Sequence, residues 1–138
     1  MSKVIIWDDP TTKITSVMRP SKRKTVDDIK YLVPSGVDYE IIEDTTLPDG
    51  NFRDSWRKVG STVKEDLTEA KKLGHDKRRV QRTKEFKPYD KQVALNISSD
   101  EVAAAEAERA KIRTKYTTVQ TDIDNATDIA GIKTALGI

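Results

Sequence analysis

The sequence predicts an α+β fold: a small N-terminal β-hairpin and sheet unit with one short helix, followed by long C-terminal helices with coiled-coil-like 3–4 spacing. Three observations carry this. Short β-branched runs separated by Pro, Gly and Asp fill the first 58 residues. Apolar positions then recur at alternating steps of three and four along residues 98–126. Only 36% of residues are hydrophobic and 35% are charged, thin material for one compact core. The expected division is a small α+β domain over 1–58 and a helical, coiled-coil region over 59–138.

"KVIIWD", residues 3–8, reads as a strand, and "KITSVM", residues 13–18, as a second, half-exposed one. The turn residues Asp9 and Pro10 between them make a hairpin. After the basic loop "RPSKRK", a short helix is expected over 25–33. Thr25 is its N-cap, Asp28 lies at the third helical position, and Pro34 and Gly36 stop it. "VDYEIIE", residues 37–43, is a third strand, with Tyr39 and Ile41 on one face and Glu40 and Ile42 on the other.

"LPDGNFRDSWRK", residues 47–58, holds one of two tryptophans and one of two phenylalanines. Pro48 and Gly50 suit a type I turn. Asn51 is expected to cap a short helix that puts Phe52 and Trp56 on one face and Arg53 and Arg57 on a neighbouring side. The bland reading makes Phe52 and Trp56 a joint between the β unit and the helices. The sharper one makes Trp56 and the arginines an exposed contact patch.

Residues 61–83 are expected to be helical. Thr62 and Glu65 have capping-box spacing, and Val63, Leu67, Ala70, Leu73 or Gly74, and Val80 form a thin stripe. Gly74 weakens this helix by about 1 kcal/mol relative to Ala, and Pro88 ends or kinks it. "YDKQVALN" is open between helix and extended link. Ser98 and Glu101 then form a second capping box, with Ile97 and Val102 at staple positions. The seam that follows is Val102, Ala105, Arg109, Ile112, Tyr116, Val119, Ile123 and Ala126, the expected interaction and oligomerisation surface. Its partner is either the 61–83 helix or a copy of itself. Thr127 is expected to cap a last helix with Ile129, Ile132 and Leu136 on its apolar face.

The chemistry of the residues points away from catalysis. There is no cysteine, so thiolate chemistry and disulfides are excluded. The one histidine, His75, reads as a solvated surface residue without companion ligands. No phosphate-loop, dinucleotide or nucleophile-elbow pattern occurs. No apolar run approaches a membrane span. Catalytic, cofactor-binding and metal residues are all expected to be none, and no cofactor is implied. Net charge is +2, which disfavours nucleic acid as a partner of the whole chain. The basic stretch 71–87 keeps a nucleic-acid accessory role as an alternative, against a solvated helix balanced by acidic neighbours.

"VPSGVDYEIIEDTTLPDGNFRDSW" resembles a pattern in a family of small tailed-bacteriophage structural and tail-region proteins, roughly V-P-x-G-x-x-Y-x-I-V/I followed by L/I-P-x-D-R-x-F-R-D/N-A-W. Val33, Pro34, Gly36, Tyr39, Ile41, Ile42, Leu47, Pro48, Phe52, Arg53, Asp54 and Trp56 are the matching positions. "DLTEAKKLGHDKRR" and "IDNATDIAGIKTAL" are similar to later family segments, more loosely. Gly50, Asn51 and Ser55 depart from the pattern. The resemblance implies a non-enzymatic virion protein, assembled in the bacterial host cytoplasm, with other phage tail, baseplate or fibre proteins as partners. It implies a homo-oligomer, with fibre symmetry suggesting a trimer. A tail-fibre assembly chaperone is the alternative within the same class.

Overall fold

The computed structural model describes residues 2–138. The fold is α+β, and the chain divides into two compact units, one ending at Ala70 and one running from Lys71 to Ile138.

The N-terminal unit is built on β1 (Lys3–Asp8), the central strand of an antiparallel sheet ordered β2-β1-β3, with β2 at Thr15–Met18 and β3 at Tyr39–Glu43. The unbroken apolar run of β1 follows from its burial on both faces. Val4 and Ile6 point to one side and Ile5 to the other, and all three are buried. On the first side they meet Ile42, Trp56 and Val63, with Val17 and Leu47 at the margin. On the second, Ile5 packs with Val26 and Ile29, flanked by Trp7, Met18 and Val33. Each such aliphatic side chain contributes about 1.5–3 kcal/mol on full burial.

Turn chemistry fixes the hairpin. Asp9 Oδ1 accepts from the N–H groups of Thr11 and Thr12 at 2.8 and 2.9 Å, which holds its carboxyl below the usual range. Lys13 adopts a left-handed φ of 65°, so β2 begins at Thr15 rather than at residue 13. The expected helix over 25–33 is one turn, α1 (Val26–Ile29), continued by the 3-10 turn Lys30–Leu32. Its start is as the sequence suggests: Asp28 Oδ2 accepts from the Thr25 N–H at 2.8 Å, and that bond lowers the Asp28 pKa.

The expected helix start at 61 is replaced by a strand. β4 (Trp56–Val59) and β5 (Thr62–Glu65) form a second antiparallel hairpin, with Val59 opposite Thr62. Its loop is Gly60-Ser61, and Gly60 has φ +62°, the conformation that a two-residue hairpin loop requires. The Thr62–Glu65 capping box therefore does not form. The helix α2 (Leu67–Leu95) starts later, where Asp66 Oδ1 accepts from the Glu69 N–H at 2.9 Å. This hairpin covers the first sheet, and the first compact unit extends to Ala70.

α2 runs through Pro88 and takes in the "YDKQVALN" stretch. Asn96, at a left-handed φ of 48°, follows its end. Ser98 caps α3 (Ser99–Asn125), its hydroxyl accepting from the Glu101 N–H at 3.1 Å. Ile97, the expected staple, is exposed instead. The last helix, α4 (Ile129–Leu136), is capped by Asp128 rather than Thr127, with Asp128 Oδ1 accepting from the Gly131 N–H at 2.7 Å. Ile132 and Leu136 are its buried face.

Candidate functional site

The segment at residues 47–58 splits into two conformations. Gly50–Ser55 is a 3-10 turn, kinked at Phe52, and its cap is Asp49 rather than Asn51: Asp49 Oδ1 accepts from the Asn51 N–H at 3.0 Å. Trp56 is not helical; it is the first residue of β4. Phe52 is fully buried and Trp56 is 5% exposed. The two rings are thus structural members of the N-terminal unit, reached by a bend and a strand rather than by one helical face.

The two arginines part company for the same reason. The Arg53 guanidinium lies 4.2 Å from the centre of the Trp56 ring. Burial lowers its pKa, with the neighbouring Asp54 acting in the opposite direction. Arg57 folds back onto its own segment, Nη1 donating to the Asp54 and Trp56 carbonyls at 3.0 and 2.8 Å. Ser55 is also fully buried, and its hydroxyl donates to the Phe52 carbonyl at 2.6 Å.

The last residue of β1 ties this segment to the sheet. Asp8 Oδ1 accepts from the buried Thr15 hydroxyl at 2.7 Å and from the Lys58 N–H at 2.8 Å. One carboxylate thereby joins β1, β2 and β4.

Two clefts open on this unit and share the Arg19–Asp44 ion pair, 3.0 Å between Nη1 and Oδ2, as a common wall. One has a volume of about 590 Å³ and is bordered by Lys3, Lys22, Lys24 and Thr25. The other, of about 490 Å³, is bordered by Val17, Leu47, Pro48, Arg53 and Trp56.

In the C-terminal unit the expected seam is the inward line of α3. Ala105, Ile112, Tyr116 and Ile123 are buried, and Val102, Arg109, Val119 and Ala126 are half-buried. Within the chain this line faces α2 and α4. Arg109, the charged exception, has its Nε 2.9 Å from Asp90 Oδ1 on α2 and donates from Nη1 to Glu106 at 2.6 Å. Lys115 pairs with Glu85 of α2. Burial, then Glu85, pushes the neighbouring Tyr116 phenol above its usual value.

α2 answers with a polar face where the sequence suggests an apolar stripe. Val80, placed in that stripe, is 55% exposed. Lys71 Nζ donates to the Asp124 carbonyl at 2.9 Å, and Gln81 Nε2 to the Leu136 carbonyl at 3.1 Å. His75, expected in solvent, sits between α2 and the end of α3. Its Nε2 is 2.8 Å from Asp124 Oδ1, and its Nδ1 accepts from Arg78 Nε at 3.2 Å. An accepting Nδ1 places the proton on Nε2, which therefore donates to Asp124. Arg78, at the middle of the basic stretch, is buried, and burial lowers its pKa. Arg79 pairs with Asp76. Arg78 is thus committed inside the unit, while Lys71 and Arg79 hold their partners at the surface.

Gly74 gives this interface its closeness. A methyl group there would lie 2.9 Å from Ile132 Cγ2 of α4 and 3.6 Å from Ile123 Cγ2 of α3. The glycine that weakens α2 as a helix lets two other helices approach it. Among the described residues no group of three or more His, Cys, Asp or Glu is gathered as a metal site, and no helix is long and apolar enough to cross a membrane. No protein-family model, curated protein or solved structure matches the chain.

Proposed function

We propose that this chain is a non-enzymatic structural protein of a tailed-bacteriophage virion, linking or decorating tail, baseplate or tail-fibre components as a homo-oligomer. One observation supports this reading above the others. In the segment that carries the resemblance, Phe52 and Trp56 are buried and Arg53 covers the indole. Such a segment is core material of its own unit, as suits a scaffold or connector.

Ala105, Ile112, Tyr116 and Ile123 of the seam are buried within one chain, which favours other surfaces for subunit contacts in this proposal. The nucleic-acid reading loses ground because Lys71, Arg78 and Arg79 are engaged in pairings within the C-terminal unit. Mass spectrometry of purified particles from the encoding phage tests the proposal. The chain is expected in intact virions at a fixed ratio to tail proteins. Presence in infected lysate but absence from particles assigns it instead to assembly, as a fibre chaperone.

A further inference from the structure

The two clefts of the N-terminal unit, joined across Arg19 and Asp44, carry five cations (Lys3, Arg19, Lys22, Lys24 and Arg53) against one carboxylate. Asp44 already occupies Arg19. No ion pair neutralises Lys3, Lys22 or Lys24 among the described residues. These cations leave the groove positive, and a low-dielectric concavity focuses such a field.

A second observation is independent of charge. Trp56 Nε1 and Arg53 Nη1 are buried and donate to no acceptor, although buried donors are nearly always satisfied. Both residues border the smaller of the two clefts. Arg53 is in addition a cation held partly out of water, with the adjacent Asp54 offsetting this only in part. The groove therefore offers unpaired cations in the cleft at Lys3, Lys22 and Lys24 and unsatisfied donors in the cleft at Arg53 and Trp56, where Val17, Leu47 and Pro48 add apolar walls.

We propose that this groove docks an acidic peptide segment of a partner protein, its carboxylates seated along Lys3, Lys22 and Lys24 and its acceptors meeting Arg53 and Trp56. Asp44 shows that a carboxylate is an anion the groove accommodates. A nucleic acid fits less well, because its bases need exposed ring faces to stack on, and the one aromatic residue here is 5% exposed and covered by Arg53. A peptide backbone supplies carbonyl acceptors at regular spacing, and the apolar walls take its intervening side chains. Trp56 lines this cleft, so occupancy changes its surroundings. The inference does not depend on the particle to which the chain belongs.

The test uses the intact chain and a fluorescein-labelled octa-glutamate peptide, followed by anisotropy at low and physiological salt. Saturable binding that weakens with salt is expected. Replacing Lys3, Lys22 and Lys24 together by Gln is expected to weaken it by about tenfold or more. These side chains are exposed, so the far-UV spectrum of the variant should be unchanged. Replacing Lys84 and Lys87 of the C-terminal unit by Gln should leave binding as it is. In a Trp7→Phe background, Trp56 emission should shift as peptide is added. Absence of saturation at low salt overturns the proposal, as does an equal loss in the Lys84 and Lys87 variant. An unmoved Trp56 emission on binding overturns the placement, and tighter binding of an oligothymidylate of equal charge replaces the peptide by a nucleic acid.

Discussion

Single side chains decide more of this fold than its hydrophobic content suggests. Asp8 holds three strands through one oxygen. Asp8→Ala leaves a buried hydroxyl and a strand N–H without an acceptor and should cost about 1–3 kcal/mol. Asp8→Asn keeps an acceptor oxygen and should cost less. Urea midpoints followed by tryptophan emission measure both, and equal midpoints for wild type and Asp8→Ala would sink the claim. Gly74→Ala sets two effects against each other: a gain of about 1 kcal/mol in helix propensity and an overpacking cost of about 1–3 kcal/mol against Ile132. Ile132 is fully buried and the clashing atom is its branch methyl, so the cost should win and the melting temperature should fall. Asp9 and Asp28 have folded pKa values below 3.8. Their contribution is complete above the unfolded value and is lost as pH falls through the folded one. The Asp9→Asn and Asp28→Asn variants should each show a flatter acid limb in stability against pH below about 4.

Among the elements, α2 is the least orthodox. It carries Pro88 in its interior and a mostly polar inner face. Proline removes the N–H that would reach the Lys84 carbonyl and costs about 3 kcal/mol relative to Ala in a helix interior. Pro88 is exposed, so Pro88→Ala gives up no buried contact and should stabilise the C-terminal unit by up to about 3 kcal/mol. A drop in the helical melting temperature would show that the proline serves a geometry that a regular helix cannot supply. The pairing of α2 with α3 relies on His75–Asp124, Glu85–Lys115 and Asp90–Arg109. Directional contacts of this kind fix register, which a thin apolar stripe alone would leave free to slide.

At the scale of the whole molecule, both tryptophans, Trp7 and Trp56, belong to the N-terminal unit, and α3 and α4 lie wholly in the C-terminal one. Two probes therefore report two units. Ile123→Asp introduces a charge at a fully buried position and should destabilise the C-terminal unit by roughly 4 kcal/mol or more. Ellipticity at 222 nm should fall while tryptophan emission keeps its native maximum. Loss of both signals together would mean that the units fold as one.

How much of this was legible depends on the range of the interaction involved. β1, the Thr25–Asp28 and Ser98–Glu101 caps, and the inward line of α3 are all written in spacings of two to four residues, so the sequence by itself determined them. The hairpin at residues 56–65 was also legible in its Gly60-Ser61 loop and alternating flanks, but the helix-compatible composition around it masked the signal. What only the tertiary structure decided is which surfaces meet. Which helices of the chain cover the inward line of α3, why Gly74 is tolerated, and how His75 is held each depend on atoms some 50 residues apart in the chain. The two arginines of residues 47–58 make the same point: identical in type and four apart, they separate because the backbone turns from a 3-10 bend into a strand between them. Local periodicity records which residues seek burial; the identity of what buries them is set by packing and directional polar contacts, which carry no sequence period.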